Sequence, residues 1–246
     1  MTNKEFAIKV RKLVLNMIYR GKSSHIASVF SMVEILTILY NEILNVAPDD
    51  PNNPQRDRFI LSKGHAGAGV YACLAIKKFF PESMLLDHYQ DGSQMSGHVS
   101  HKNIPGVEFS TGSLGHGLGI ACGISIANKY DDNANHNYVV MSDGELNEGS
   151  NWESFLFASH HNLDNLTAII DRNGYQSILK TEDTLALEPL KEKFLAFNLD
   201  VHEIDGHNFD EILLAINSDS RGRPKVIIAN TVKGKGVSFM ENNIQW

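Results

Sequence analysis

The sequence of 246 residues predicts an α/β fold in which a mostly parallel sheet carries helices on both faces. Short continuous apolar runs, such as Tyr138–Met141, Leu166–Ile170 and Lys225–Ala229, alternate with helical patterns of about ten residues. Strands without polar alternation are buried on both sides, and strands separated by helices pair in parallel. Polar and glycine-bearing stretches follow several of these runs, and ligands of such sheets bind beyond the carboxyl ends of the strands.

Each element has its own signal. Phe6, Val10, Leu13, Val14 and Met17 recur at helical spacing and form a first helix, and Val33, Ile35, Leu36, Ile38, Leu39 and Ile43 form a second. The Pro- and Asn-rich stretch 47–58 reads as a surface loop, because strand and helix patterns resume directly after it. Arg58–Ser62 is a short buried strand that leads into the loop Lys63-Gly64-His65, and a helix of small residues runs from about Ala66 to Phe79. A further helix spans Leu114 to about Tyr130. Its Gly115, Gly117, Gly119 and Gly123 lower helix propensity, a loss usually compensated where a backbone or ligand approaches closely. Then follow the strand Tyr138–Met141, the helix Asn151–His161, the strand Leu166–Ile170 and the helix Pro189–Phe197. The strand Val201–Ile204, the helix Phe209–Ile216 and the strand Lys225–Ala229 complete the pattern. With no repeat, linker or low-complexity tract, one domain over residues 1–246 is expected.

Composition excludes several classes. Hydrophobic residues make up 42%, which is enough for a sizeable core and rules out disorder. The net charge of −7, without a basic run, argues against nucleic acid as a partner. No apolar run reaches the roughly 18 residues that cross a bilayer, and Lys4, Glu5, Lys9, Arg11 and Lys12 interrupt the start, so neither a membrane helix nor a signal peptide is expected. Cys73 and Cys122 stand alone in apolar segments and read as buried thiols of a cytoplasmic protein.

The chemistry-bearing residues cluster after strands. Ser142-Asp143-Gly144-Glu145 follows one strand, and Asp171-Arg172-Asn173-Gly174-Tyr175 follows the next. If the two strands are neighbours, Asp143 and Asn173 meet at one rim, and a carboxylate with an amide oxygen forms part of an oxygen shell for Mg²⁺. By position alone, the same groups serve equally well as caps of the turns that follow. Asn173 lies 30 residues after Asp143 with one helix between them, and residues 142–173 resemble the diphosphate-anchoring motif of thiamine diphosphate enzymes. Lys22-Ser23-Ser24-His25, Ser62-Lys63-Gly64-His65, Gly97-His98 and Thr111-Gly112-Ser113-Leu114-Gly115-His116-Gly117 are similar, in order, to motifs of the transketolases. The stretch Asn230–Asn242 resembles the close of the same domain, so the likeness runs from about Arg20 to Asn242.

That resemblance implies a thiamine diphosphate-binding fold and a set of roles. Asp143, Asn173 and the carbonyl of Tyr175 would ligate Mg²⁺, or Ca²⁺ or Mn²⁺ in its place. Gly144 and Glu145 would belong to the diphosphate loop, with the Gly144 N–H on the diphosphate. Gly112, Ser113 and Leu114 would lie against the aminopyrimidine. His65 would sit near the diphosphate and thiazolium, and His25 and His98 would face the donor sugar's hydroxyls. Imidazole, with a pKa of about 6.5, exchanges protons near neutrality as a two-carbon ketol transfer requires. Glu148 matches an acid between active sites, and Lys235 matches a lysine without an assigned role. His160 and His161 read as helix C-terminal caps; His101, His136, His202 and His207 receive no role.

The departures are Ser142 for a glycine, Ile26 for a proline after the first histidine, and His116 for a common glutamine. The sequence ends at Trp246, near where the family carries one more catalytic histidine. The likeness is to the cofactor-diphosphate domain alone, so the pyrimidine-binding and C-terminal domains of a complete transketolase are not expected on this chain. A split enzyme is therefore expected, a heterotetramer with two copies each of this chain and of a C-terminal subunit carrying the pyrimidine domain. It would act on sugars or sugar phosphates. The competing expectations are a non-catalytic subunit of the same fold, a 2-oxo acid dehydrogenase subunit or a deoxyxylulose phosphate synthase. A zinc hydrolase is disfavoured, because no HExxH is present and His98 and His101 lack an evident third ligand.

Overall fold

The computed structural model describes residues 1–246. Five strands form one sheet in the order β1-β2-β3-β5-β4, with every neighbouring pair parallel. They are β1 (Arg58–Leu61), β2 (Asn137–Ser142), β3 (Leu166–Arg172), β4 (Asp200–Asp205) and β5 (Lys225–Asn230). All five expected strands are present, most of them longer than expected by a residue or two. The extra residues are the polar ends, which pairing to a neighbour holds extended.

Alternate strand residues feed opposite faces, as the pleat demands. Tyr138, Val140, Ile169 and Ile227 join a core with α1 (Asn3–Gly21), α2 (Ile26–Phe30), α3 (Val33–Ile38), α4 (Gly67–Ile76) and α9 (Phe209–Asn217). Val139, Met141, Ile170 and Ile228 join a second core with α5 (Gly117–Tyr130), α6 (Gly149–His160) and α8 (Leu190–Ala196). A short α7 (Thr181–Thr184) lies beyond the β3 tip. Cys73 and Cys122 are buried free thiols. No helix is long and apolar enough to cross a membrane.

The helices depart from expectation in three places: a π-helical turn, a separate short helix and a later start of the glycine-rich helix. The second helix continues from α3 as a π-helical turn at Leu39–Ile43, and a separate α2 precedes it. Ile26 occupies the first position of α2, where a proline fits well because that N–H needs no intrahelical partner, so the buried Ile26 replaces it without loss of the helix start. The glycine-rich helix begins at Gly117 rather than Leu114, because Gly115 has φ +85°, a left-handed conformation that helix geometry excludes.

Gly117 is also a point of close approach. A Cβ there would lie 2.3 Å from Ser62 Oγ and 2.8 Å from Ser62 Cα, so the start of α5 packs on the β1 tip only without a side chain. Gly117→Ala should cost about 1–3 kcal/mol in urea denaturation. Gly123→Ala, whose Cβ would meet nothing within 4 Å, should be neutral or stabilise by up to about 1 kcal/mol through helix propensity.

Candidate active site

Parallel strands bring their carboxyl ends to one edge, and a cleft of about 260 Å³ opens there among the tips of β1, β2 and β3 and the loop after β5. β2 and β3 are neighbours with Ser142 in register with Asp171, so Asp143 and Asn173 leave the sheet side by side. Asp143 Oδ2 accepts hydrogen bonds from Arg172 at 2.9 Å, the Gly174 N–H at 2.8 Å and the Thr181 hydroxyl at 3.0 Å. Its Oδ1 accepts only the Gly144 N–H, at 2.8 Å. Burial raises the Asp143 pKa, and the bond from Arg172 partly offsets it. The Gly144 N–H, expected on the diphosphate, is thus engaged by the adjacent carboxylate, although Gly144 itself lines the cleft. Asn173 Oδ1 accepts the Tyr175 N–H at 3.0 Å, and its Nδ2 donates to Asp171 Oδ2 at 3.2 Å. Both Asn173 and Tyr175 line the cleft.

Behind these residues stands a cluster that sequence reasoning missed. Asp171 is fully buried and accepts from Lys63, Ser31 and Asn173 on Oδ2 and from Thr231 on Oδ1. The equally buried Lys63 ammonium also donates to the Ser28 carbonyl at 2.9 Å. A carboxylate closing an otherwise apolar strand run was the available signal.

Two expected contacts fall elsewhere. Glu145 points away from the cleft: its buried carboxylate accepts from Ser62, from the Gly115 N–H at 2.9 Å and from the Ser142 N–H at 3.3 Å. The turn Gly144–Asn147 directs it inward, so it ties the β1 tip to the loops after Leu114 and β2 and lies outside the cleft lining, in contrast to the expected cofactor contact. Ser113 is exposed and outside the cleft lining, whereas Gly112 and Leu114 belong to it. The Ser142 hydroxyl accepts the Glu145 N–H at 3.3 Å, which gives this departure a local use as a turn cap. His116 Nδ1 lies 3.0 Å from the Leu114 carbonyl.

His25, His65 and His98 converge. Their ring centroids are 5.1, 5.9 and 6.5 Å apart for the pairs 25–65, 25–98 and 65–98. His25 has φ +71° at the α2 N-cap, a left-handed conformation that turns its ring toward the other two. His65 Nε2 lies 2.9 Å from the Ser28 hydroxyl. Burial, then the charge of Lys63 and the neighbouring imidazoles, holds the His65 pKa well below the ordinary value. Burial, then His98, Lys233 and Lys63, lowers that of His25. Sequence reasoning also passed over Lys233, which is buried in the cleft wall with its ammonium 5.7 Å from the Tyr175 ring centroid and no carboxylate paired to it. Burial and Lys63 lower its pKa, against Asp143. The lysine noted from sequence, Lys235, is outside the cleft lining; its carbonyl accepts from Arg11 and its N–H donates to the Val232 carbonyl.

Comparison with known proteins identifies the family of the chain. The profile of the family described as "Transketolase, thiamine diphosphate binding domain" matches residues 2–245. The chain belongs to that transketolase family. An apulose-4-phosphate transketolase subunit of Actinobacillus succinogenes is 44% identical over 96% of this chain and 86% of that protein. The 6-deoxy-6-sulfo-D-fructose transketolase subunit SqwG of Clostridium sp. (strain MSTE9) is 39% identical with the same coverage. The transketolase structure from Campylobacter jejuni superposes with a TM-score of 0.93 at 29% identity, covering 100% of this chain and 40% of that one. This member of the transketolase family therefore spans well under half of that longer relative.

Two outcomes test the electrostatics. Asp171→Asn should cost about 3–5 kcal/mol in chemical denaturation, because it leaves the Lys63 ammonium buried without its counter-charge. By NMR titration His25 and His65 should protonate below pH 6.5. An unfolded histidine takes up its proton near that pH while these two do not, so folding stability should be intact above it and decline as pH falls.

Proposed function

We propose that this chain is the N-terminal, diphosphate-side subunit of a magnesium-dependent split transketolase. In this reading residues 1–246 form one domain, and a C-terminal subunit with the pyrimidine-binding domain completes the site in a cytoplasmic heterotetramer. The observation that carries the proposal is the meeting, at one cleft, of the β2 and β3 tips, an unpaired lysine and three imidazoles; Asn173 lines the cleft, and Asp143 lies buried between its lining neighbours Ser142 and Gly144. Pockets that bury a drug-sized ligand run to roughly 300–1,000 Å³, so a cleft of about 260 Å³ suits half of a shared site. The names of the two relatives, each a transketolase subunit, support the same division.

The residues fit the absent groups. No three His, Cys, Asp or Glu side chains converge on a metal position, so an ion here needs oxygen donors from elsewhere. Asp143 Oδ1, Asn173 Oδ1 and the Tyr175 carbonyl are hard donors that suit Mg²⁺, Ca²⁺ or Mn²⁺, with phosphate and water oxygens filling the shell. Lys233, without an acidic partner, supplies positive charge to a diphosphate in the same cleft. Thiamine diphosphate, when bound, supplies the carbanion and the electron sink. The chain's share is proton handling: His25, which burial and its charged neighbours hold toward the neutral form, or His98 beside it takes the proton from the ketose's third hydroxyl and returns one to the acceptor aldehyde oxygen. His65 orders the inner wall through Ser28. Both relatives are named for ketoses bearing a terminal anion, a phosphate or a sulfonate, and we assign the substrate to that class.

Mixing both subunits with a panel of ketose donors and aldehyde acceptors should yield ketol-transfer products. Asp143→Ala should weaken magnesium-dependent thiamine diphosphate binding by about a hundredfold in calorimetry. Binding unaffected by that change excludes the metal site.

A further inference from the structure

The lysine that reaches the cleft sits on a turn held from behind. Val232 to Lys235 follow β5, and a four-carbon side chain in that turn places its ammonium only as well as its backbone is placed. The Asn242 N–H donates to the Lys233 carbonyl at 3.0 Å, and three further contacts tie the turn to earlier parts of the chain. The Val232 N–H donates to His207 Nε2 at 2.8 Å, the Gly234 N–H donates to the Ala27 carbonyl at 2.9 Å, and Arg11 Nε donates to the Lys235 carbonyl at 3.3 Å. His207 and Arg11 share one buried acid. Glu34 Oε2 lies 3.0 Å from His207 Nδ1, and its two oxygens take Arg11 at 2.8 and 3.0 Å.

The chemistry of these partners assigns the imidazole's proton. A backbone N–H only donates, so Nε2 is bare; an ionised carboxylate only accepts, so Nδ1 carries the hydrogen. Burial raises the Glu34 pKa, but the bonds from His207 and Arg11 outweigh it and keep the group ionised. The arrangement is a linear relay, Arg11 to Glu34 to His207 to the Val232 amide, running from α1 through α3 to the base of the lysine turn.

We propose that His207, oriented by Glu34 and Arg11, is a positioning residue that holds the Val232–Lys235 turn so that Lys233 meets the cofactor's diphosphate. The inference rests on the reading of Lys233 as a diphosphate contact. His207 touches neither substrate nor cofactor; it acts through the backbone of its neighbour in space.

The test is a double-mutant cycle on the assembled enzyme, reading the Kd for thiamine diphosphate and for thiamine monophosphate in the presence of magnesium. Lys233→Met should weaken diphosphate binding about tenfold to a hundredfold, as for the loss of one charge-assisted contact. His207→Leu should weaken it about tenfold, narrow the preference for diphosphate over monophosphate, and add nothing to Lys233→Met in the double variant. Amide exchange at Val232 should quicken in His207→Leu. Should that variant fold poorly, Arg11→Ala tests the same turn from its other end and should also be non-additive with Lys233→Met. If His207→Leu and Lys233→Met multiply, or if His207→Leu weakens both ligands equally, the role is merely structural and the proposal fails. If Lys233→Met binds like wild type, the reading of Lys233 itself fails, and the positioning role falls with it.

Discussion

The site depends on one buried carboxylate. Asp171 sits at the end of a central strand, where water is excluded, and an ion there persists only if its lone pairs are filled and its charge is met. Lys63 from the β1 tip meets the charge; Ser31, Thr231 and Asn173 fill the remaining positions. Four separate segments of the chain are thereby pinned to one atom group. Among them are the residue proposed to hold the metal and the loop that carries Lys233. The strand tips are tied together there because that ion would be costly to leave unpaired.

The charges around it are arranged with opposite consequences for neighbouring groups. Two lysines near the cleft, with burial, push His25 and His65 toward their neutral forms, which is the state a proton acceptor needs. Arg172 acts on the other wall, bonded to Asp143 and paired as well with Glu182 and Glu188. It saturates one carboxylate oxygen together with Gly174 and Thr181, and leaves the other oxygen with a single short-range partner. A carboxylate so oriented presents one defined lone-pair direction, which is what monodentate ligation of an ion uses.

The periodicity of the sequence was enough to place all five strands and the long helices, because apolar spacing is a local property that burial then preserves. It was also enough to bring Asp143 and Asn173 together once the strands were taken as neighbours, whereas the three histidines, which do converge, were selected by the resemblance of their motifs and not by periodicity, for all that it placed the strands. It could not show that Glu145 turns inward, since one residue along a tight turn reverses a side chain's direction. Nor could it separate Lys233 from Lys235, which lie two positions apart in a stretch rich in lysine and glycine. The clamp that sorts them comes from Arg11, Glu34 and His207, positions as much as 224 residues from the turn they hold.

By itself, then, the sequence determined the α/β class, the strand tips that carry chemistry and the family to which those tips belong. The first two are written in spacing along the chain, and the family in the residues of its motifs. Tertiary structure decided which polar groups face the cleft and which brace it, because that choice turns on partners distant in sequence. A buried donor or acceptor must be satisfied wherever its partner lies, and only the folded chain specifies where that is.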